Sequence, residues 1–132
     1  MYQLTQVKVI REQREILSID SLTIDPHALT VVLGHNGSGK STLVNLLANQ
    51  FEPEQGGVTL AEKPLTQYSA KELARTVAYL PQKLPEVAGL TVKELVRLGR
   101  FPWRGTLGRW RTEDEQIIAQ AMHATGVTAF KD

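Results

Sequence analysis

Apolar and polar positions change their rhythm several times along the chain, and each change marks an element. Residues 4–10 and 16–24 are rich in β-branched and apolar side chains and partly alternate, which predicts two strands joined by a polar turn over residues 11–15. Asp25-Pro26 breaks the second strand. Residues 29–33 (Leu-Thr-Val-Val-Leu) are almost wholly apolar, as expected of a short strand buried on both faces of a parallel sheet. A glycine-rich segment follows. Residues 41–50 then place Leu43, Leu46 and Leu47 at helical spacing, until Pro53 and Gly56-Gly57 end the element, and residues 58–60 predict another short strand.

In the second half, Ser69 with Glu72 three residues on predicts a capping box opening a short helix over residues 70–75. Residues 76–80 read as a strand stopped by Pro81. Thr91 with Glu94 predicts a second capping box, for a helix reaching about Gly99, and Thr112 with Glu115 a third, for a helix running to Gly126 as its C-cap. Between them residues 101–111 hold one proline, two glycines and both tryptophans, and read as a structured loop.

The glycine-rich segment carries the chemistry. Gly34, His35, Asn36, Gly37, Ser38, Gly39, Lys40 and Ser41 fit G-x-x-x-x-G-K-[ST] in full, between a buried-type strand and an amphipathic helix. Glycines let the backbone turn sharply and come close to a ligand. Their N–H groups, with those of the helix start, point at an anion that the helix dipole also favours. Lys40 supplies a point charge to the β- and γ-phosphates of a nucleotide, and the Ser41 hydroxyl is placed to ligate Mg²⁺. A chance match is expected in roughly one chain of this length in two hundred, so the motif is specific.

Composition narrows the classes. At 132 residues one domain is expected, and a 42% hydrophobic share is too high for disorder. Fifteen basic against fourteen acidic residues leave a net charge of +1, which gives no reason to expect a nucleic-acid partner. Cysteine is absent, the N-terminus lacks the pattern of a secretory signal, and no apolar run approaches the ~18 residues of a membrane helix. The expectation is a soluble, cytoplasmic chain that meets a membrane only through a partner. Arg97, Arg100, Arg104, Arg109 and Arg111 form a modest cluster, expected as a solvated face. Of Phe101, Trp103 and Trp110, two are expected to serve only in packing.

The wording of the loop, Gly-His-Asn-Gly-Ser-Gly-Lys-Ser-Thr-Leu, resembles ATP-binding-cassette (ABC) ATPases. By that resemblance Thr42 is a further phosphate contact. Val77-Ala78-Tyr79-Leu80-Pro81-Gln82 is similar to the family's strand and Q-loop, which implies that Gln82 reaches Mg²⁺ and the attacking water and relays nucleotide state to membrane subunits. Residues 90–96 and 98–105 resemble the helical region of iron–siderophore importer ATPases, most of all the ferric-hydroxamate type, where a helix of the membrane subunit docks. The implied fold is α/β: a P-loop NTPase core of parallel sheet and helices, an N-terminal antiparallel β subdomain, and the start of a helical subdomain. Residues 1–132 would be the N-terminal part of one nucleotide-binding domain, with the β and phosphate-loop core over about 1–80 and the Q-loop and helical subdomain over about 81–132.

The resemblance implies ATP and Mg²⁺ as cofactors, transmembrane permease subunits and a second ATPase copy as partners, and a peripheral place on the cytoplasmic face of the inner membrane. It implies neither nucleic acid nor insertion into the bilayer. One departure concerns the base: the family often stacks adenine on an aromatic about two dozen residues before the loop, where this chain has Arg11, whose guanidinium can also stack. Tyr2 is too far upstream to substitute. The family's signature, catalytic glutamate and switch histidine have no match here; Glu113-Asp114-Glu115 opens a helix, and His27 and His123 read as structural. These residues alone are therefore expected to bind nucleotide weakly and not to turn it over, and the apolar 29–33 segment to be partly exposed. Two other readings stand beside the importer: a soluble cassette acting on nucleic acid or ribosomes, and a nucleotide-binding module without catalysis.

Overall fold

The alternation near the N-terminus produces a hairpin. In the computed structural model, which describes residues 1–83, 89–105 and 108–130, β1 (Tyr2–Arg11) pairs antiparallel with β2 (Arg14–Ile24). Their turn has positive φ at both Glu12 (50°) and Gln13 (63°), as two-residue type I′ connections require. On its other side β1 pairs with β3 (Gln55–Leu60), which turns at Ala61 (φ 48°) and Glu62 (φ 65°) into the short β4 (Lys63–Pro64). The order is β2-β1-β3-β4, antiparallel throughout.

A bulge sets the buried face of this sheet. Leu4, Val7 and Val9 are all buried, although an odd step from 4 to 7 would put them on opposite faces of a regular strand. Gln6 takes φ +51° and the β1–β3 register shifts between Thr5 and Lys8, so the alternation slips by one residue. Gly56 sits opposite with φ +76°, where a Cβ would lie 2.2 Å from the Gln6 carbonyl oxygen. Against this face α1 (Lys40–Leu47) buries Leu43 and Leu46, which join Leu4, Val7, Val9, Val58, Leu60 and Leu65 in the core. Burial of each such side chain contributes roughly 1.5–3 kcal/mol. Tyr2 at the start of β1 donates its hydroxyl to the Leu47 carbonyl, 2.9 Å away, and fixes the end of the helix.

Two predicted strands do not form. Residues 29–33 have no regular secondary structure, and Leu29, Val31 and Leu33 are 93%, 66% and 87% exposed. A strand needs a ladder partner, and none of the four strands offers one. The parallel sheet of the expected core is accordingly absent among the described residues, and the antiparallel subdomain is what forms. Residues 77–80 likewise form no strand, and Thr76 ends the helix before them instead, α2 (Ala70–Thr76). Ser69 and Glu72 cap that helix reciprocally, with N–H to side-chain distances of 2.9 and 3.2 Å.

The chain divides into two units, Met1–Leu73 and Ala74–Asp132. In the second, α3 (Val92–Leu98) opens on the predicted box: the Thr91 N–H donates to Glu94 at 2.8 Å and the Glu94 N–H to the Thr91 hydroxyl at 3.2 Å. α4 (Thr112–Ala124) corrects the third box by one residue. The Arg111 N–H donates to the Asp114 carboxylate at 3.0 Å, and Thr112 lies inside the helix. Asp114 is also held by Arg100 Nε at 2.8 Å, while Glu115 turns outward to Lys93 (3.3 Å) and Arg97 (3.2 Å). Gly126 follows the helix at φ +71°.

The aromatic loop begins with a 3₁₀ turn, Phe101–Trp103, while its Thr106 and Leu107 lie outside the described residues. Of the five clustered arginines Arg109 and Arg111 are exposed, as expected of a solvated face, whereas Arg97, Arg100 and Arg104 lie over aromatic rings. Arg97 and Arg104 stand over Trp110 at 4.1 and 4.5 Å, Arg75 and Arg100 over Trp103 at 5.2 and 5.3 Å, and Trp110 meets Phe101 edge-on at 6.4 Å.

Two outcomes follow for stability. Gly56→Ala should destabilise the first unit by about 1–3 kcal/mol, because φ is positive and backbone oxygens occupy the Cβ position. Gly57→Ala, with open space around it, should stay within about 0.5 kcal/mol, and urea midpoints of the two variants give the comparison. The Asp114 carboxyl is held below its ordinary value, first by the Arg111 N–H and then by Arg100. A depressed carboxylate stabilises the fold above its unfolded pKa of about 4 and loses that contribution as pH falls through the lower folded value. Asp114→Asn should therefore lower stability at pH 7 and shrink its decline below pH ~4, read from urea midpoints across pH.

Candidate phosphate-binding site

Gly34, His35, Asn36, Gly37, Ser38 and Gly39 lead into α1, whose first residue is Lys40. Gly39 fixes the joint. It is the helix N-cap in the left-handed region at φ 88°, and a Cβ there would lie 2.8 Å from the Ile16 carbonyl oxygen and 3.3 Å from Leu17 Cδ1 of β2. Both backbone and space exclude a side chain. Gly37 is also left-handed, at φ 83°, but faces open space. At Gly34 the backbone is ordinary, and a Cβ would crowd the Ser38 side chain, 2.4 Å from its rotatable Oγ and 3.2 Å from its Cβ. The sequence reading missed the Ile16 carbonyl as the wall behind the loop; a main-chain oxygen has no residue signature.

The Ser38 N–H donates to the His35 carbonyl at 3.2 Å and closes the turn, and the Leu43 N–H donates to Gly39 at 2.9 Å as the helix starts. Lys40 bends back over the loop: its ammonium donates to the Gly34 and His35 carbonyls, each at 2.7 Å, and lies 3.4 Å from Ser38 Oγ. Near them the His35 ring places Nδ1 2.8 Å from the Asn36 carbonyl oxygen. No acid stands in the first turn of α1, so the positive end of the helix dipole is not offset by its own sequence. A glycine turn without Cβ atoms, a helix N-terminus and one ammonium group suit an anion with several oxygens. Ser41 is exposed and Thr42 partly buried in the first turn beyond Lys40.

The other candidates belong to other segments of the chain. Gln82 is exposed in the irregular stretch after Pro81 and belongs to the second unit. Arg11 ends β1, stacked over Phe51 at 4.8 Å, donating to the Ile10 carbonyl at 2.8 Å and ion-paired with Glu54. The Glu54 carboxyl is held below its ordinary value, first by the Ile10 N–H and further by Arg11. Tyr2, set aside as a base contact, serves the helix end instead. Among the described residues no three or more His, Cys, Asp or Glu side chains group as a metal site. No described helix is long and apolar enough to cross a membrane.

Comparison with known proteins identifies the family. The family described as ABC transporter matches residues 17–132. The ferric enterobactin transport ATP-binding protein of Escherichia coli (strain K12) is 40% identical over 116 residues, covering 86% of this chain and 42% of that protein. The iron(3+)-hydroxamate import ATP-binding protein of Bacillus subtilis (strain 168) is 35% identical over 119 residues, covering 90% of this chain and 44% of that protein. The chain thus spans less than half the length of these curated relatives. A solved dimeric structure of a bacterial ABC transporter cassette superposes with a TM-score of 0.81 at 22% identity, over 100% of this chain and 60% of that one, and shows the same fold. With the phosphate loop complete and the match running over most of its length, the chain belongs to the ABC transporter family.

Proposed function

We propose that the chain is the nucleotide-binding part of an ATPase subunit that drives an importer of iron–siderophore complexes, of the ferric-hydroxamate type. The loop from Gly34 to Thr42, backed by β2 and closed by Lys40, carries the ATP reading. The importer reading is supported by the enterobactin and hydroxamate transport relatives. In the whole protein, two copies would act on transmembrane permease subunits from the cytoplasmic face of the membrane. ATP with Mg²⁺ would supply a phosphoanhydride whose binding and cleavage do work.

The chain's own residues would divide the task. Loop N–H groups from Gly37 to Ser41 and the Thr42 hydroxyl would bind phosphate oxygens, with His35 and Asn36 shaping the outer turn. Lys40 would exchange its two carbonyl acceptors for β- and γ-phosphate oxygens, and Ser41 would face the cation. Arg11 would offer the guanidinium face not packed on Phe51 to the base. Gln82 would orient the cation and the attacking water. The core over about 1–80 would carry the phosphates, and the region over about 81–132 would carry the glutamine and the permease contact. None of these 132 residues matches the family's catalytic glutamate, so binding without turnover is expected of them alone.

Lys40→Ala removes both the charge facing the phosphates and the bonds that hold the Gly34 and His35 carbonyls, so it should weaken ATP binding by about tenfold and stop uptake of an iron–hydroxamate complex in the intact protein. Gly39→Ala should also weaken binding, and by more than Gly37→Ala, since only Gly39 has a backbone oxygen at the Cβ position. Calorimetric titration of ATP with transport in vesicles provides the check; unchanged affinity and uptake in Lys40→Ala would end this reading.

A further inference from the structure

Beyond Lys8, which pairs with Gln55, β1 has no ladder partner in β3, and the Glu54 side chain takes over that edge. Glu54 is fixed at its main chain, where its N–H donates to the Lys8 carbonyl at 2.9 Å. It is fixed again at one carboxylate oxygen, which accepts from the Ile10 N–H at 2.8 Å. The other oxygen accepts from Arg11 Nη1, which also donates to the Ile10 carbonyl at 2.8 Å. The Arg11 guanidinium carbon stands 4.8 Å from the centre of the Phe51 ring, and the side chain stays 45% exposed. Phe51 thus covers one face of the guanidinium while Glu54 holds its edge. Arg11 lies opposite Arg14 in the hairpin, and the Ile16 carbonyl that backs Gly39 is two residues further along β2, about 7 Å at the rise of a strand.

We propose that Glu54 is a positioning residue for nucleotide binding, holding the Arg11 guanidinium flat on Phe51 so that its other face stacks on the base. The proposal rests on the reading of Arg11 given above and adds the group that orients it. An exposed ion pair between two free side chains gains little, because both must be immobilised. Here two main-chain bonds already hold the acid, so only the arginine remains to be ordered. A planar guanidinium meets a carboxylate through its edge while its faces stay available to rings, a division that an ammonium group does not offer.

Calorimetric titration of the intact protein with ATP and with inorganic tripolyphosphate separates base from phosphate, both without Mg²⁺ so that neither is turned over. The ratio of the two affinities should fall about fivefold in Arg11→Met and by a similar factor in Glu54→Gln, with tripolyphosphate affinity unchanged. Glutamine keeps an oxygen for the Ile10 N–H but turns an amide toward Arg11, so the strand edge persists while the clasp opens. The Arg11→Met/Glu54→Gln double variant should lose no more than Arg11→Met. A ratio that falls in Arg11→Met but not in Glu54→Gln would overturn the proposal and leave the Arg11 reading standing. An unchanged ratio in Arg11→Met would overturn both. Equal losses for ATP and tripolyphosphate in Glu54→Gln, or additive losses in the double variant, would reduce Glu54 to a support of the sheet edge and overturn the proposal as well.

Discussion

The contact between Gly39 and the main chain of β2 is the constraint from which the site is built. A carbonyl oxygen at Ile16 stands where any other residue at position 39 would put its Cβ, and the left-handed φ there turns the chain directly into a helix. Because Gly39 starts α1, it also sets the helix phase. Leu43 and Leu46, four and seven positions on, then fall on the face that meets the sheet, and Lys40 falls at the open end. An eight-residue helix is marginal by itself, since nucleation is costly and few bonds follow. Burial of its two leucines and the Tyr2 bond at its far end supply what propensity does not.

The second unit is held differently. Among its described residues Ile118, Met122 and Asp114 are buried, and the Arg97 and Arg104 guanidinium groups cover the Trp110 ring. Exposed ion pairs such as Lys93 with Glu115 contribute about 1 kcal/mol or less. Arg100 with Asp114 is less exposed, and its carboxylate also caps α4, so one acid joins a helix start to the aromatic turn. That double duty explains why the cap falls on Asp114 and leaves Glu115 to the surface.

Local signals were legible and non-local ones were not. The first hairpin and the capping boxes at Ser69 and Thr91 are decided within a few residues, and each forms. Residues 29–33 carry a correct strand pattern, but a ladder is a property of two segments, and no described strand pairs with this one. The β3–β4 turn escaped because Ala61 and Glu62 adopt positive φ without the usual Asn-Gly wording. The slip at Gln6 was hidden for a similar reason: Gly56 across the ladder makes room for it, and neither residue reveals the other. As for the arginines, their spacing looked like a charged face because the rings they cover approach only after folding.

The exposed 29–33 segment bears directly on how the loop keeps its shape. Its C-terminal half is pinned by Gly39 on β2, whereas its N-terminal half follows a stretch that no ladder supports. Lys40 bridges the difference: by donating to the Gly34 and His35 carbonyls it joins the unsupported half to the pinned helix. The cation that would meet phosphate is therefore also the group that holds the empty-handed half of the loop in register. Anion binding would have to replace those two bonds, so the net gain from Lys40 is the difference between phosphate and carbonyl acceptors rather than a whole charge-assisted bond. Removal of the lysine would take away those two loop bonds as well as the charge.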